Sequence, residues 1–118
     1  MIRAWKKTLM MLFGGVFLLM GRAVAPSYAE DKFYGLTIED HQFKPKELEI
    51  PAGIKVKLVI ENLDKTAEEF ESYELNREKI VPGGKKVTLF LGPLKPGSYR
   101  YFGEFHQKTA QGLIVVKE

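Results

Sequence analysis

Apolar and polar residues alternate with a period of two along much of the chain. The clearest run is Ile54-Lys55-Val56-Lys57-Leu58-Val59-Ile60-Glu61, which predicts a strand with Ile54, Val56, Leu58 and Ile60 facing a core and the lysines facing water. Glu47 to Ile50 repeats the pattern, with Leu48 and Ile50 on one side and Glu47 and Glu49 on the other. Phe33 to Ile38, Lys86 to Leu91, Ser98 to Gly103 and Gly112 to Lys117 are further short runs of β-forming residues. Pro45, Pro51-Ala52-Gly53, Pro82-Gly83-Gly84 and Gly92-Pro93-Leu94-Lys95-Pro96-Gly97 punctuate them. The acidic stretch Ala67 to Leu75 is harder to place: glutamate favours helices, but Phe70, Tyr73 and Leu75 form no helical stripe, so it reads as a loop followed by a strand. About seven short strands, with turns roughly every 8–12 residues, predict an all-β antiparallel sandwich.

The N-terminus follows a different rule. Arg3, Lys6 and Lys7 precede an apolar run from Leu9 to Met20, and Ser27-Tyr28-Ala29 supplies the small residues of a cleavage site. This is the pattern of a secretory signal peptide over residues 1–29, and the apolar run falls short of the roughly 18 residues a membrane span needs. Export to the periplasm is the expectation, with a chain that does not span the membrane once the signal is cut. The charge balance changes with that cut. Four of the 18 basic residues lie in the signal and none of the 15 acidic ones, which leaves 14 against 15 and removes the case for a nucleic-acid partner. With no cysteine in the sequence, residues 30–118 fold as one domain without disulfides, although an exported protein could use them. A domain of this size buries only about 60 % of its unfolded surface, so the core depends on its large apolar and aromatic side chains.

Candidate chemistry concentrates in two places. Gly97 to His106 reads as a strand running into a loop with Glu104 and His106, and Glu68, Glu69, Glu71 and Glu74 crowd the acidic stretch. A carboxylate and imidazole set of this kind suits iron, manganese or Cu(II). The plainer reading of the glutamates is a solvated face paired with Lys65, Arg77 and Lys79. His41, beside Asp40, reads first as a surface residue and only weakly as a ligand. Tyr99, Tyr101, Phe102 and Phe105 read as core and loop packing. No serine, histidine and acid arrangement suggests hydrolysis.

Three blocks resemble the cupredoxins. They are Phe43-x-Pro45-x-x-Leu48-x-Ile50-Pro51-Ala52-Gly53-x-x-Val56 with the following Asn62-Leu63-Asp64, then Val81-Pro82-Gly83, and then Leu94-Lys95-Pro96-Gly97-Ser98-Tyr99-Arg100-Tyr101-Phe102. Glu69-Phe70-Glu71 before a Pro-Gly turn narrows the resemblance to the periplasmic cupredoxin-like proteins and domains that accompany high-affinity iron permeases. The resemblance implies a cupredoxin-like Greek-key β-sandwich whose metal position comprises two histidines, a cysteine and a weak axial ligand. Along this chain the cysteine position is Gly103, the retained histidine is His106, the axial position is Gln111, and the other histidine is replaced by Glu68 or Glu69. Without a thiolate no blue copper site forms. Gly103 would leave a gap there, open to water. The expected function is therefore a metal-binding accessory protein, not an enzyme, with a non-blue copper or iron ion. Its expected ligands are His106, Glu104 and one of Glu68, Glu69 and Glu71; Glu68 is preferred if Phe70 is the core aromatic. An iron permease or a related periplasmic component is the expected partner. The alternatives are an interaction module on a vestigial site and, third, a metal oxidase acting on Fe(II).

Overall fold

The computed structural model describes residues 33–118, so the expected signal peptide lies outside the described residues. Nine strands form two sheets: β1 (Phe33–Glu39), β2 (Gln42–Lys44), β3 (Glu47–Pro51), β4 (Val56–Asn62), β5 (Glu68–Ser72), β6 (Arg77–Val81), β7 (Lys86–Leu91), β8 (Gly97–Gly103) and β9 (Gln111–Lys117). One sheet has the order β2-β1-β4-β7 and the other β3-β9-β8-β5-β6. This is the two-sheet sandwich that the alternation predicts, in the cupredoxin-like form the resemblance implies, with two strands more than expected and with β1–β4 and β3–β9 paired parallel where an antiparallel sandwich was expected. β2 has three residues, and β6 is an edge strand exposed at four of its five positions. Neither carries the inward stripe that marks a strand in sequence.

Inward-facing residues make the core by plain alternation. Val56, Leu58, Ile60 and Asn62 face in from β4, and Glu68, Phe70 and Ser72 from β5. Ile54, expected to join this set, lies before β4 begins and is half exposed. Phe43, Phe70 and Tyr101 form an aromatic centre, with Phe43 edge-on to both other rings. Burial pushes the Tyr101 phenol well up, and its ring lies over Gly112, where an added Cβ would come within 2.2 Å of it.

Two loops at one end of the sandwich converge on Asn62. Its side-chain amide donates to the carbonyls of Thr66 and Val81 at 2.9 and 3.0 Å, and its carbonyl oxygen accepts from the Asp64 N–H at 2.9 Å. This Asx turn aims the Asp64 carboxylate at the β1–β2 hairpin, where Oδ1 and Oδ2 accept the N–H groups of Asp40 and His41 at 2.8 and 3.0 Å. Both turn residues are left-handed, with φ of 55° and 57°, a conformation uncommon for non-glycine residues although Asp and His adopt it more readily than most. Asp64 fixes this turn by accepting both of its N–H groups. Asp64→Ala is expected to cost about 1–3 kcal/mol by leaving two turn N–H groups unpaired, measured by urea unfolding.

The pH dependence has a defined sign. Hydrogen bonding from the His41 N–H, opposed by burial and assisted by the Asp40 N–H and the nearby histidines, holds the Asp64 carboxyl below its usual range. A depressed folded-state value means that stability is present above the unfolded pKa and is lost as pH falls through the folded one. Acid unfolding of Asp64→Asn is expected to show a shallower loss below about pH 4 than the parent; identical acid limbs would refute the assignment.

Candidate metal centre

Register decides which glutamate faces the loop after β8. Phe70 pairs with Gly103 and Glu71 with Phe102, so Phe70 points inward and Glu68, two residues before it, shares that face beside the 3₁₀ turn Glu104–His106. Glu68 is almost completely buried, and its carboxylate is fully engaged. Oε1 accepts the N–H groups of Glu69 and Phe105, both at 2.9 Å. Oε2 lies 2.6 Å from Nδ1 of His106. An ionised carboxylate can only accept, so against it Nδ1 is the hydrogen-bearing nitrogen, and in the neutral ring the lone pair is then on Nε2. No buried side-chain nitrogen or oxygen among the described residues lacks a partner, the His106 side chain is 28 % exposed, and its Nε2 has no hydrogen-bond partner among the described residues.

Gly103 makes this arrangement possible. A Cβ at that position would lie 2.6 Å from the Glu68 Cδ, 2.8 Å from its Oε1 and 2.7 Å from the Ala110 Cβ. The gap expected at the thiolate position is thus filled by the Glu68 carboxylate. A thiolate centre does not fit this chain, both because it has no cysteine and because the volume is taken. An ion seated between Oε2 and Nδ1 would also have to force them apart, since ligand bonds of about 2.0–2.2 Å on each side exceed what a 2.6 Å hydrogen bond leaves.

The other expected ligands fall elsewhere. Glu69 and Glu71 point outward from β5, and Glu71 faces Glu78 across the β5–β6 pair. Partial burial, then the contact with Glu78 and repulsion from Glu69 and Glu104, lifts the Glu71 carboxyl above its usual range. Glu104 therefore belongs to this acidic side. The pairing of these acids with Lys65, Arg77 and Lys79 is not seen: Arg77 instead donates to the carbonyls of Phe90 and Asn76. Gln111 pairs with Phe102 on the outer face, is exposed, and donates to the Gln107 carbonyl at 3.0 Å; Ala110 holds the inward position next to Gly103. Phe105 is half exposed rather than packed. Among the described residues no three His, Cys, Asp or Glu side chains converge on one point.

His41 stands closer to the centre than its sequence context suggests. Its ring lies face to face with that of His106, with centroids 3.6 Å apart and planes 14° from parallel, and its Nδ1 is 3.5 Å from Asp64 Oδ2. A two-residue Asp-His turn between β-forming runs, where Asn-Gly is usual, was the available signal for this position.

A two-sheet β-sandwich carrying a carboxylate-bound imidazole in the loop after its penultimate strand defines a cupredoxin-type protein without the thiolate. The family model for the cupredoxin-like domain matches residues 9–116, and the chain belongs to that family. It is 42 % identical over 110 residues to the uncharacterised protein RP394 of Rickettsia prowazekii (strain Madrid E), covering 92 % of this chain and 88 % of that one. Among solved structures it is similar to auracyanin A, a "blue" copper protein of Chloroflexus aurantiacus (TM-score 0.61, 17 % identity, 70 % of this chain and 96 % of that one). It is also similar to amicyanin from Paracoccus versutus (0.58, 16 %, 74 % and 83 %) and to a purple cupredoxin from Nitrosopumilus maritimus (0.54, 21 %, 70 % and 98 %). At these identities the structural likeness shows the fold alone.

Proposed function

We propose that the protein is an exported metal-binding accessory with a non-blue centre on His106, serving copper or iron acquisition. The observation that carries this reading is the 2.6 Å contact between Glu68 and His106. Carboxylates that take the second nitrogen of a metal-bound histidine fix its tautomer and raise its basicity, and here the arrangement leaves Nε2 free to bind. Glu68 is then a positioning residue. The role is one of binding rather than catalysis, and the resemblance read from Glu69-Phe70-Glu71 supports a periplasmic place beside an iron permease.

Calorimetric titration with Cu(II), Fe(II) and Mn(II) tests the reading. Cu(II) is expected to bind with micromolar or tighter affinity and His106→Ala to weaken it at least tenfold, about 1.4 kcal/mol. Binding no tighter than millimolar, or unchanged in His106→Ala, would contradict the proposal. That outcome would favour the second reading, an interaction module whose metal position is closed, to which the fully hydrogen-bonded Glu68 carboxylate lends support.

A further inference from the structure

His41 is held in a backbone conformation uncommon for non-glycine residues. Both central residues of the β1–β2 turn are left-handed without being glycine, and the turn depends on Asp64, which arrives from the loop after β4 to accept both N–H groups. Strain of this kind persists where surrounding structure over-determines it, and it clusters at functional sites. Its product here is a defined position for one imidazole, stacked on His106 at 3.6 Å.

The two rings have related environments. Nδ1 of His106 is hydrogen-bonded to Glu68 at 2.6 Å, Nδ1 of His41 lies 3.5 Å from Asp64 Oδ2 without a hydrogen bond, and neither Nε2 has a protein partner among the described residues. The side chain of His41 is 44 % exposed and that of His106 28 %. We infer that His41 and His106 together form a two-imidazole site that takes Cu(II) through both Nε2 atoms, with Asp64 and Glu68 as positioning residues and solvent completing the coordination. This inference rests on the reading of His106 as a metal donor and adds the second protein ligand.

The chemistry sets two conditions. Nitrogen donors select Cu(II) over Mn(II) and Fe(II) in the Irving–Williams order, so the pair discriminates against the harder ions that an all-carboxylate site would accept. Parallel rings do not aim their lone pairs at one point, and two imidazoles in cis positions of a tetragonal Cu(II), with bonds of about 2.0 Å, place their nitrogens about 2.8 Å apart. The ring at the turn tip therefore swings out of the stack to meet the ion, while Glu68 keeps His106 in place. The stack is the metal-free state, and metal binding opens it.

Pulsed electron paramagnetic resonance counts the imidazoles on Cu(II), and titration gives the affinity. Both are measured on protein purified from the exported full-length chain. His41→Asn is the main variant because asparagine tolerates the left-handed turn; His41→Gly repeats the test with a residue free of that strain. The expected result is two coupled imidazoles in the parent and one in His41→Asn and His41→Gly, with Cu(II) bound at least tenfold more weakly by both variants. A single coupled imidazole in the parent, or unchanged affinity in the His41 variants, would overturn this inference while leaving His106 as the donor. Binding weakened at least tenfold in His106→Ala supports the reading on which the inference rests, and unchanged binding in that variant would overturn it.

Discussion

Glu68→Ala is expected to lower the unfolding free energy by about 3 kcal/mol or more, since each buried donor left without its acceptor costs about 1–3 kcal/mol. Three donors lose their acceptor together: the N–H groups of Glu69 and Phe105 and Nδ1 of His106. The truncation also empties volume between β5 and the turn after β8. For a small domain, whose total stability lies at the low end of about 5–15 kcal/mol, this is a large fraction, and urea unfolding followed by tyrosine fluorescence would read it directly. Glu68→Gln separates the two roles of the side chain. Its amide oxygen still accepts the backbone N–H groups, so most of the stability is retained. Its NH₂ group donates to Nδ1 of His106, which shifts the ring hydrogen to Nε2, and Cu(II) affinity is expected to fall although the fold persists. A Glu68→Ala variant as stable as the parent would show that the carboxylate is not the lock described here.

The second large effect is expected at Gly103. Its φ of −93° is available to any residue, so the requirement for glycine is one of space rather than backbone freedom. Gly103→Ala drives a Cβ to 2.6 Å from the Glu68 carboxyl carbon and 2.7 Å from Ala110, and overpacking of this kind costs about 1–3 kcal/mol. The two sites share one volume, so their effects do not add. In a Glu68→Ala background the alanine at 103 loses the clash with Glu68 and keeps only the one with Ala110, and is expected to cost about 1 kcal/mol less than in the parent. Equal costs in the two backgrounds, measured as a double-mutant cycle, would mean that Gly103 and Glu68 are not packed against each other.

The sequence carries the fold wherever a strand has one buried face. Leu48 and Ile50, or Val56, Leu58 and Ile60, announce themselves by alternation because a slip of one residue would expose the whole set. β6 does not, because Arg77, Glu78, Lys79 and Ile80 are all exposed on an edge and no core selects their order. Ile54 misleads for a related reason: it continues the alternating pattern but precedes the first ladder pair of β4, Val56 with Leu91.

The candidate centre was legible to the same depth. Once Phe70 is taken as the inward aromatic, Glu68 must face the same way and Glu69 and Glu71 the other, and that much follows from a period of two. What the strand period could not supply is the volume balance at Gly103, which depends on a side chain from another strand filling the missing one. The approach of His41 to His106 was equally hidden. It depends on Asp64, from a loop distant in sequence, fixing the turn by accepting both of its N–H groups.

With the Glu68 carboxylate filling the thiolate position, the proposed metal donor is the outward Nε2 of His106. An anomalous difference map from crystals exposed to Cu(II) is the decisive measurement. A peak is expected about 2.0–2.1 Å from Nε2 of His106, with Glu68 Oε2 and His106 Nδ1 still in hydrogen-bond contact. A peak between Oε2 and Nδ1, or none at His106, would contradict this assignment.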